Sequence, residues 1–495
     1  MKNIIISCFL CFLFFSKTAH TQENSNELKK SRPNIIFVMT DDQGMGDFSC
    51  MGNQVVKTPN IDAFYSKSTR FTEYHVSPTC APTRAALMSG SHEFSTGVTH
   101  TILERERMAL SVYTLSEMLH STDYITGLFG KWHLGDGDEY LPQNRGFDEV
   151  LMHGAGGIGQ VGLGDFPANK ENKYFDNILL HNETIVKTKG FCTDLFFNAA
   201  LSWTKEQIDA EKKYFTYISL NAPHAPLIAP DQYKKRFLDL GYDEGTAGRY
   251  GMIENIDDNF GVLMKKLTEW NALENTLVIF TTDNGATHLG GTLNGKRVKH
   301  FNGGLKGGKN SPNEGGNHVP FFWYWKGVLS EGRDINELTA HIDIYKTFVE
   351  LTGAHLPKKM QSLEGRSLLP LLENTNTNTN WEDRLLFTHC GRWKTGMVNE
   401  AKYQKMAVRS QQWRFVNNKE LYDVAKDPGE TKNIAAEYPD VISKFEKPYS
   451  EWWKNTIPLM VNENREKIKK HPLHIRYKKQ LAEQGIPYWS PEFKN

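Results

Sequence analysis

Residues 35–44, IIFVMTDDQG, decide how the chain is read. Five consecutive apolar residues, 35–39, run directly into Thr40, Asp41 and Asp42. A strand with one wet face alternates polar and apolar residues, whereas an uninterrupted apolar run of strand length belongs to a sheet covered on both faces. Two more near-continuous runs end the same way: 214–220 before Asn221 and His224, and 277–280 before Asp283 and Asn284. In open α/β sheets ligands collect at the carboxyl ends of strands, so the chemistry is expected at these ends.

Helical patterns separate the runs. Thr58 and Pro59 read as an N-cap and first helical residue, and Thr114 with Glu117 reads as a capping box. Met252, Ile253, Ile256, Phe260, Leu263, Met264 and Leu267 follow a helical period. Strands alternating with helices predict an α/β domain over residues 33–373, with a large, mixed but mainly parallel sheet sandwiched by helices. The tract NTNTNTN, 374–380, is low in complexity and unable to pack, and it predicts a linker. Beyond it, short strands at 385–388, 405–409 and 413–417 and a helix at 441–453 predict a smaller α+β subdomain over 381–495, with 466–470 as a solvated face.

Lys2, the apolar run 4–15 and a following polar stretch read as an export signal over residues 1–20. Twelve apolar residues are too few to span a bilayer, so no transmembrane segment is expected after its removal. The expected address is the periplasm, with the cell surface or the medium as alternatives. Of six cysteines among 495 residues, Cys50, Cys80, Cys192 and Cys390 lie beyond the signal, too few and too scattered for a disulfide framework. With 58 basic and 58 acidic residues the net charge is zero, which argues against nucleic acid as a partner. Aromatic residues make up 12% of the chain, and exposed ones would suit stacking on sugar rings.

The chemical groups cluster in short motifs. TDDQG supplies Asp41 and Asp42, and TDNG supplies Asp283 and Asn284. Adjacent carboxylates repel unless a cation lies between them, and an all-oxygen set suits one hard divalent ion, calcium before magnesium. GKWHLG supplies Lys131 and His133, which an extended segment would place on one face. NAPHAP supplies His224, and LKGGKNSPNEGG supplies Lys309 in a glycine-rich turn open to an anion. Arg84, Lys131 and Lys309 would give three cations for one anion, and two histidines could move protons near neutrality. HCGRW places His389, Arg392 and Trp393 in a short span that could line a sugar subsite or simply pack. AGGIGQVGLG, 155–164, resembles a phosphate-cradling loop but lacks the strand–turn–helix context of a nucleotide site.

CAPTRAALMSG, 80–90, is the most specific segment, and it resembles the signature of the type I sulfatases, a family with an alkaline-phosphatase-like fold. Cys80, Pro82 and Arg84 match its CxPxR core, and LYDVAKDPGETKNIA, 421–435, resembles its C-terminal signature. The resemblance covers residues 33 to about 435. It implies that Cys80 is oxidised to formylglycine (3-oxoalanine) by a formylglycine-generating or anaerobic sulfatase-maturating enzyme. An aldehyde hydrate can attack sulfur with one hydroxyl and expel sulfate through the other, which a thiol cannot do. The resemblance further implies that Asp41, Asp42, Asp283 and Asn284, with residue 80, hold the metal. By the same resemblance Arg84 holds the hydrated aldehyde, Lys131 and Lys309 bind sulfate, His133 assists collapse of the hemiacetal, and His224 protonates the leaving alcohol. Lys306, Asn313 and His318 depart from the family pattern at the flank of the site, where they could reshape substrate contacts. The expected activity is hydrolysis of sulfate esters, on sulfated polysaccharides or oligosaccharides such as ulvan or carrageenan. The alternatives are a phosphatase or phosphonate monoester hydrolase on the same scaffold, and a non-catalytic glycan-binding protein with Cys80 unmodified.

Overall fold

The computed structural model describes residues 28–167, 173–373 and 381–491. The expected export signal and the 374–380 linker lie outside the described residues. Ten strands form the main sheet: β1 (Asn34–Thr40), β2 (Thr69–Phe71), β3 (Ile125–Lys131), β4 (Glu149–His153), β5 (Ile178–His181), β6 (Thr184–Lys187), β7 (Tyr214–Ser219), β8 (Thr276–Thr282), β9 (Phe321–Tyr324) and β10 (Asp334–Ile335). Their order is β10-β2-β9-β8-β1-β7-β3-β4-β5-β6. The five central strands, β8-β1-β7-β3-β4, are parallel, and antiparallel pairs flank them.

The uninterrupted apolar runs are explained by burial on both faces. On β1, Ile35, Phe37 and Met39 pack into one core cluster, and Ile36 and Val38 into another on the opposite face. The first face is covered by α2 (Cys80–Ser89), α3 (Leu115–His120) and the helix Asp343–Thr352, and the second by α1 (Pro59–Lys67), α4 (Cys192–Asp209) and the long helix Glu244–Glu269. The capping box at Thr114 forms as the sequence predicts, with Glu117 Oε2 accepting from the Thr114 amide at 2.6 Å and Thr114 Oγ1 from the Glu117 amide at 3.1 Å.

Register then sets the site. Thr40 lies opposite Thr282, Met39 opposite Ser219, and Gly130 opposite Ser219. The chain therefore leaves β1, β8, β3 and β7 at one edge, where Asp41, Asp283, Lys131 and Asn221 emerge together.

A second sheet follows, with β11 (Leu386–His389), β12 (Met406–Arg409), β13 (Trp413–Val416) and β14 (Glu420–Asp423) antiparallel in that order. The helix Pro439–Thr456 covers it through Phe445, Tyr449 and Trp453. The expected subdomain does not run unbroken to the chain end. The helix Pro472–Glu483 returns to the main sheet, where Leu473 and Ile486 join the first core cluster and the Gln480 amide group bonds both backbone groups of Ile185.

Candidate active site

Cys80 is the first residue of α2, 2% exposed, following Thr79 in extended conformation. Burial raises its thiol pKa, but the Lys131 and Lys309 ammoniums outweigh that and bring it below the usual value. Residue 80 thus sits in a field that favours an anion.

Asp41 and Asp42 point to different partners, because Asp42 adopts a left-handed φ of 67° immediately after the strand. Asp41 Oδ2 lies 2.6 Å from Lys131 Nζ, with both side chains fully buried. Asp42 Oδ1 accepts from Lys309 Nζ at 2.6 Å and from Asn284 Nδ2 at 2.8 Å. Burial pushes the carboxyls of Asp41 and Asp283 up to about 6. Burial acts on Asp42 in the same direction, yet Lys309, His224 and the Asn284 amide hold it below the ordinary carboxylate range.

This cluster fits a hard cation. Ligand atoms of Asp41, Asp283 and Cys80 lie within 4.8 Å of one another, and Asp41 Oδ1 and Asn284 Oδ1 are buried without a hydrogen-bond partner. Unpartnered buried oxygens are costly, and a divalent ion would satisfy them.

The five N–H donors of Arg84 are directed to Asp283 Oδ2 from Nε (3.1 Å) and Nη2 (2.8 Å), to the Lys131 carbonyl (3.1 Å), to the Leu220 carbonyl (3.3 Å) and to Ser219 Oγ. With every donor engaged, it fixes Asp283 and the ends of β3 and β7. Ser219 itself donates to the Lys131 carbonyl at 2.7 Å.

Lys131 and His133 do not share the face of an extended segment, because His133 has a left-handed φ of 62°. Its Nε2 lies 2.9 Å from the Thr101 carbonyl, and its buried Nδ1 has no partner. Burial, with Lys131 next, lowers its pKa far below the imidazole range. His224 donates from Nδ1 to the Ala225 carbonyl at 2.7 Å, and its Nε2 lies 3.9 Å from Asp42 Oδ2. Burial lowers its pKa, and Asp42 acts in the opposite sense. Tyr174 holds this loop by donating to the Asn221 carbonyl at 2.8 Å and contacting the His224 carbonyl. An open cleft of about 750 Å³ begins at Ala225 and is bordered by Leu227, Ile228, Lys234, Glu244 and His288.

The structure moves several expected substrate contacts elsewhere. His389 is 1% exposed, its Nδ1 accepts from the Gly391 amide, its Nε2 lies 3.0 Å from the Ala401 carbonyl, and its ring packs among Phe94, Trp393 and Trp453. It is part of the small domain's core, not of a sugar subsite. Arg392 is half-buried and donates to Thr101 Oγ1 at 2.6 Å, which ties it to the segment that holds His133. Lys306, Asn313 and His318 face the small domain or its neighbours: Lys306 bonds Tyr422 Oη, Asn313 bonds Glu430, and His318 pairs with Glu314. Sequence reasoning passed over Ser219, Tyr174 and Asp165, which act through backbone groups and carry no motif. Ser219 alone left a signal, as a polar residue at the end of an apolar run.

Comparison with known proteins agrees with this geometry. Residues 33–354 match the family model Sulfatase, and residues 311–453 match one described as N-sulphoglucosamine sulphohydrolase, C-terminal. N-acetylgalactosamine-6-sulfatase of Canis lupus familiaris is 29% identical over 364 residues, covering 69% of this chain and 66% of that protein. The chain thus spans just under two thirds of that relative. Arylsulfatase A of Homo sapiens is 28% identical over 456 residues, covering 84% of this chain and 86% of the relative. Among solved structures, Ps i-CgsB in complex with k-i-k-neocarrahexaose superposes with a TM-score of 0.75 at 25% identity, covering 92% of this chain and 98% of its own. The phosphonate monoester hydrolase of Agrobacterium radiobacter shares the fold, with a TM-score of 0.58 and 19% identity.

Proposed function

Because the chain belongs to the sulfatase family, by the match of residues 33–354, we propose that it hydrolyses sulfate esters of glycans at residue 80. One observation carries the reading: Lys131 and Lys309 converge on Cys80 where three buried acidic residues and Asn284 meet at one sheet edge. Formylglycine made from Cys80 by a maturation enzyme supplies, as its hydrate, the nucleophilic hydroxyl. Asp41, Asp42, Asp283 and Asn284 would hold one divalent cation, calcium in this reading, which supplies Lewis acidity toward the sulfate oxygens.

The remaining work belongs to this chain's own side chains. Lys131 and Lys309 neutralise and orient the sulfate oxygens; their buried position makes each charge–charge contact stronger than in water. Arg84 keeps Asp283 ionised and in place through its two bonds to Oδ2. His224 Nε2 delivers the proton to the leaving ester oxygen, and Asp42 at 3.9 Å supports the imidazolium this requires. His133 offers its free Nδ1 as the acceptor for a hydroxyl proton of residue 80. The cleft beyond Ala225 gives the leaving sugar its room.

The neighbour crystallised with k-i-k-neocarrahexaose supports carrageenan oligosaccharides as the first substrates, with ulvan as the next. Export to the periplasm, supported by the apolar run 4–15, belongs to the same proposal. Mass spectrometry of the peptide spanning residue 80, with parallel assays of sulfate and phosphate monoesters, tests the reading. Aldehyde at residue 80 and faster sulfate release are expected; an intact thiol in an active enzyme, or faster phosphate release, overturns it.

A further inference from the structure

The glycine-rich segment that resembles a phosphate cradle lies against the two imidazoles. A methyl group at Gly156 would sit 2.4 Å from Cε1 and Nε2 of His133, and one at Gly157 would sit 3.0 Å from Cε1 of His224. A Cβ at Gly156 would overlap the His133 ring, and one at Gly157 would press on both His224 and the Gln160 side chain, which would have to give by a few tenths of an ångström. The loop is closed by Asp165, 2% exposed, whose Oδ1 accepts from the Gly154 amide at 2.8 Å and whose Oδ2 accepts from the Gly159 amide at 2.5 Å. These two bonds bracket Gly156 and Gly157. Ile158 is anchored in one core cluster and Phe166 in the other, and His474 of the returning helix contacts the Asp165 carbonyl. The loop thus lies against each ring, and the Thr101 and Ala225 carbonyls each hold one ring nitrogen.

We propose that the loop 154–165, locked by the Asp165 carboxylate, fixes the rotation of both imidazoles, and that Asp165, Gly156 and Gly157 are positioning residues for proton transfer. The inference rests on the sulfatase reading and on His224 acting as the proton donor. Displacing the His224 ring should matter most where the leaving group needs its proton. It should matter least where the leaving group departs unaided.

The test compares phenyl sulfate, a poor leaving group, with 4-nitrophenyl sulfate, a good one, in matured enzyme carrying calcium. Gly162 provides the internal control, since nothing lies within 4 Å of an added methyl there. Gly162→Ala should match the wild type on both substrates. Gly157→Ala should lose about 10- to 100-fold in kcat on phenyl sulfate and much less on 4-nitrophenyl sulfate, whereas Asp165→Asn, which frees both rings, should lower both substrates, phenyl sulfate the more. Gly156→Ala should lower both alike through His133. Thermal melting identifies any variant that fails to fold, and Gly157→Ala, whose contacts are side-chain atoms able to yield, decides the matter. For Gly157→Ala, equal losses on both substrates, or activity equal to Gly162→Ala, overturn the proposal. A wild type that releases sulfate from neither ester refutes the underlying reading instead.

Discussion

At residue 80 burial opposes a thiolate, and the ammoniums of Lys131 and Lys309 more than offset it. The same field would stabilise any anion at that position, whatever the side chain becomes. Replacing Cys80 by Ala should remove at least about 10³-fold of the sulfate-release rate, because nothing else nearby can form a covalent ester, while the melting temperature stays close to that of the wild type. His224→Ala should lower kcat on unactivated esters by about 10²- to 10⁴-fold, the usual range for a general acid. The carboxyls of Asp41 and Asp283, raised to about 6 by burial, predict a pH dependence of metal binding. A cation must find both deprotonated, so calorimetric calcium affinity should be level above pH 6 and fall as pH drops through that value, with proton release on binding. A constant affinity from pH 7 to 5 would contradict this.

At the scale of elements, the segment carrying Lys309 is fastened to the small domain through Glu314. This carboxylate, 2% exposed, meets Arg409 Nε at 3.0 Å, Arg414 Nη1 at 2.7 Å, His318 Nδ1 at 2.8 Å and His75 Nε2 at 3.1 Å. Burial favours its neutral form, but the Arg409 and Arg414 guanidiniums and the hydrogen bond from His318 hold it far below the carboxylate range. Glu314→Gln would leave Arg409 with Glu73 and Arg414 with Glu430 as their remaining carboxylates, and a loss of about 1–3 kcal/mol in chemical denaturation is expected. Because the helix Glu314–Asn317 follows the Lys309 turn closely, KM should rise in the same variant. Glu314 drew no attention in the sequence because its arginine partners lie far along the chain, on β12 and β13. By contrast β1, β7 and β8 were legible to within one or two residues, since their two-sided burial requires uninterrupted apolar runs. His389 was misread for the opposite reason: a histidine beside an arginine and a tryptophan has the composition of a subsite, and only packing showed both ring nitrogens satisfied inside the small domain.

At the scale of the whole molecule, the junction of the two sheets holds several neutral histidines. Burial lowers His75 and His341 to about 3 and His92 and His389 to about 4, against an ordinary value near 6.5. At these four side chains the folded protein binds fewer protons than the unfolded chain between about pH 4 and 6.5. Their share of stability should be full above the unfolded value and decline as pH falls below 6.5, while the buried Glu93, Glu106 and Asp165 carboxyls, raised to about 7, act in the opposite sense. Thermal melting with saturating calcium, scanned from pH 7.5 to 5 in the wild type and in His341→Gln, should show a smaller acid-side loss in the variant; identical pH profiles would contradict this.

The sequence by itself determined the α/β class, the strands whose ends carry chemistry and the family, because burial on both faces and the spacing of reactive groups are local properties written in consecutive residues. Tertiary structure alone decided that Arg84 spends its donors on Asp283 and backbone, that His389 belongs to a core, that residues 472–483 return to the main sheet, and that the glycine loop backs two imidazoles. Each of these depends on which distant atoms come within bonding distance, and that is set by register and packing rather than by neighbours along the chain.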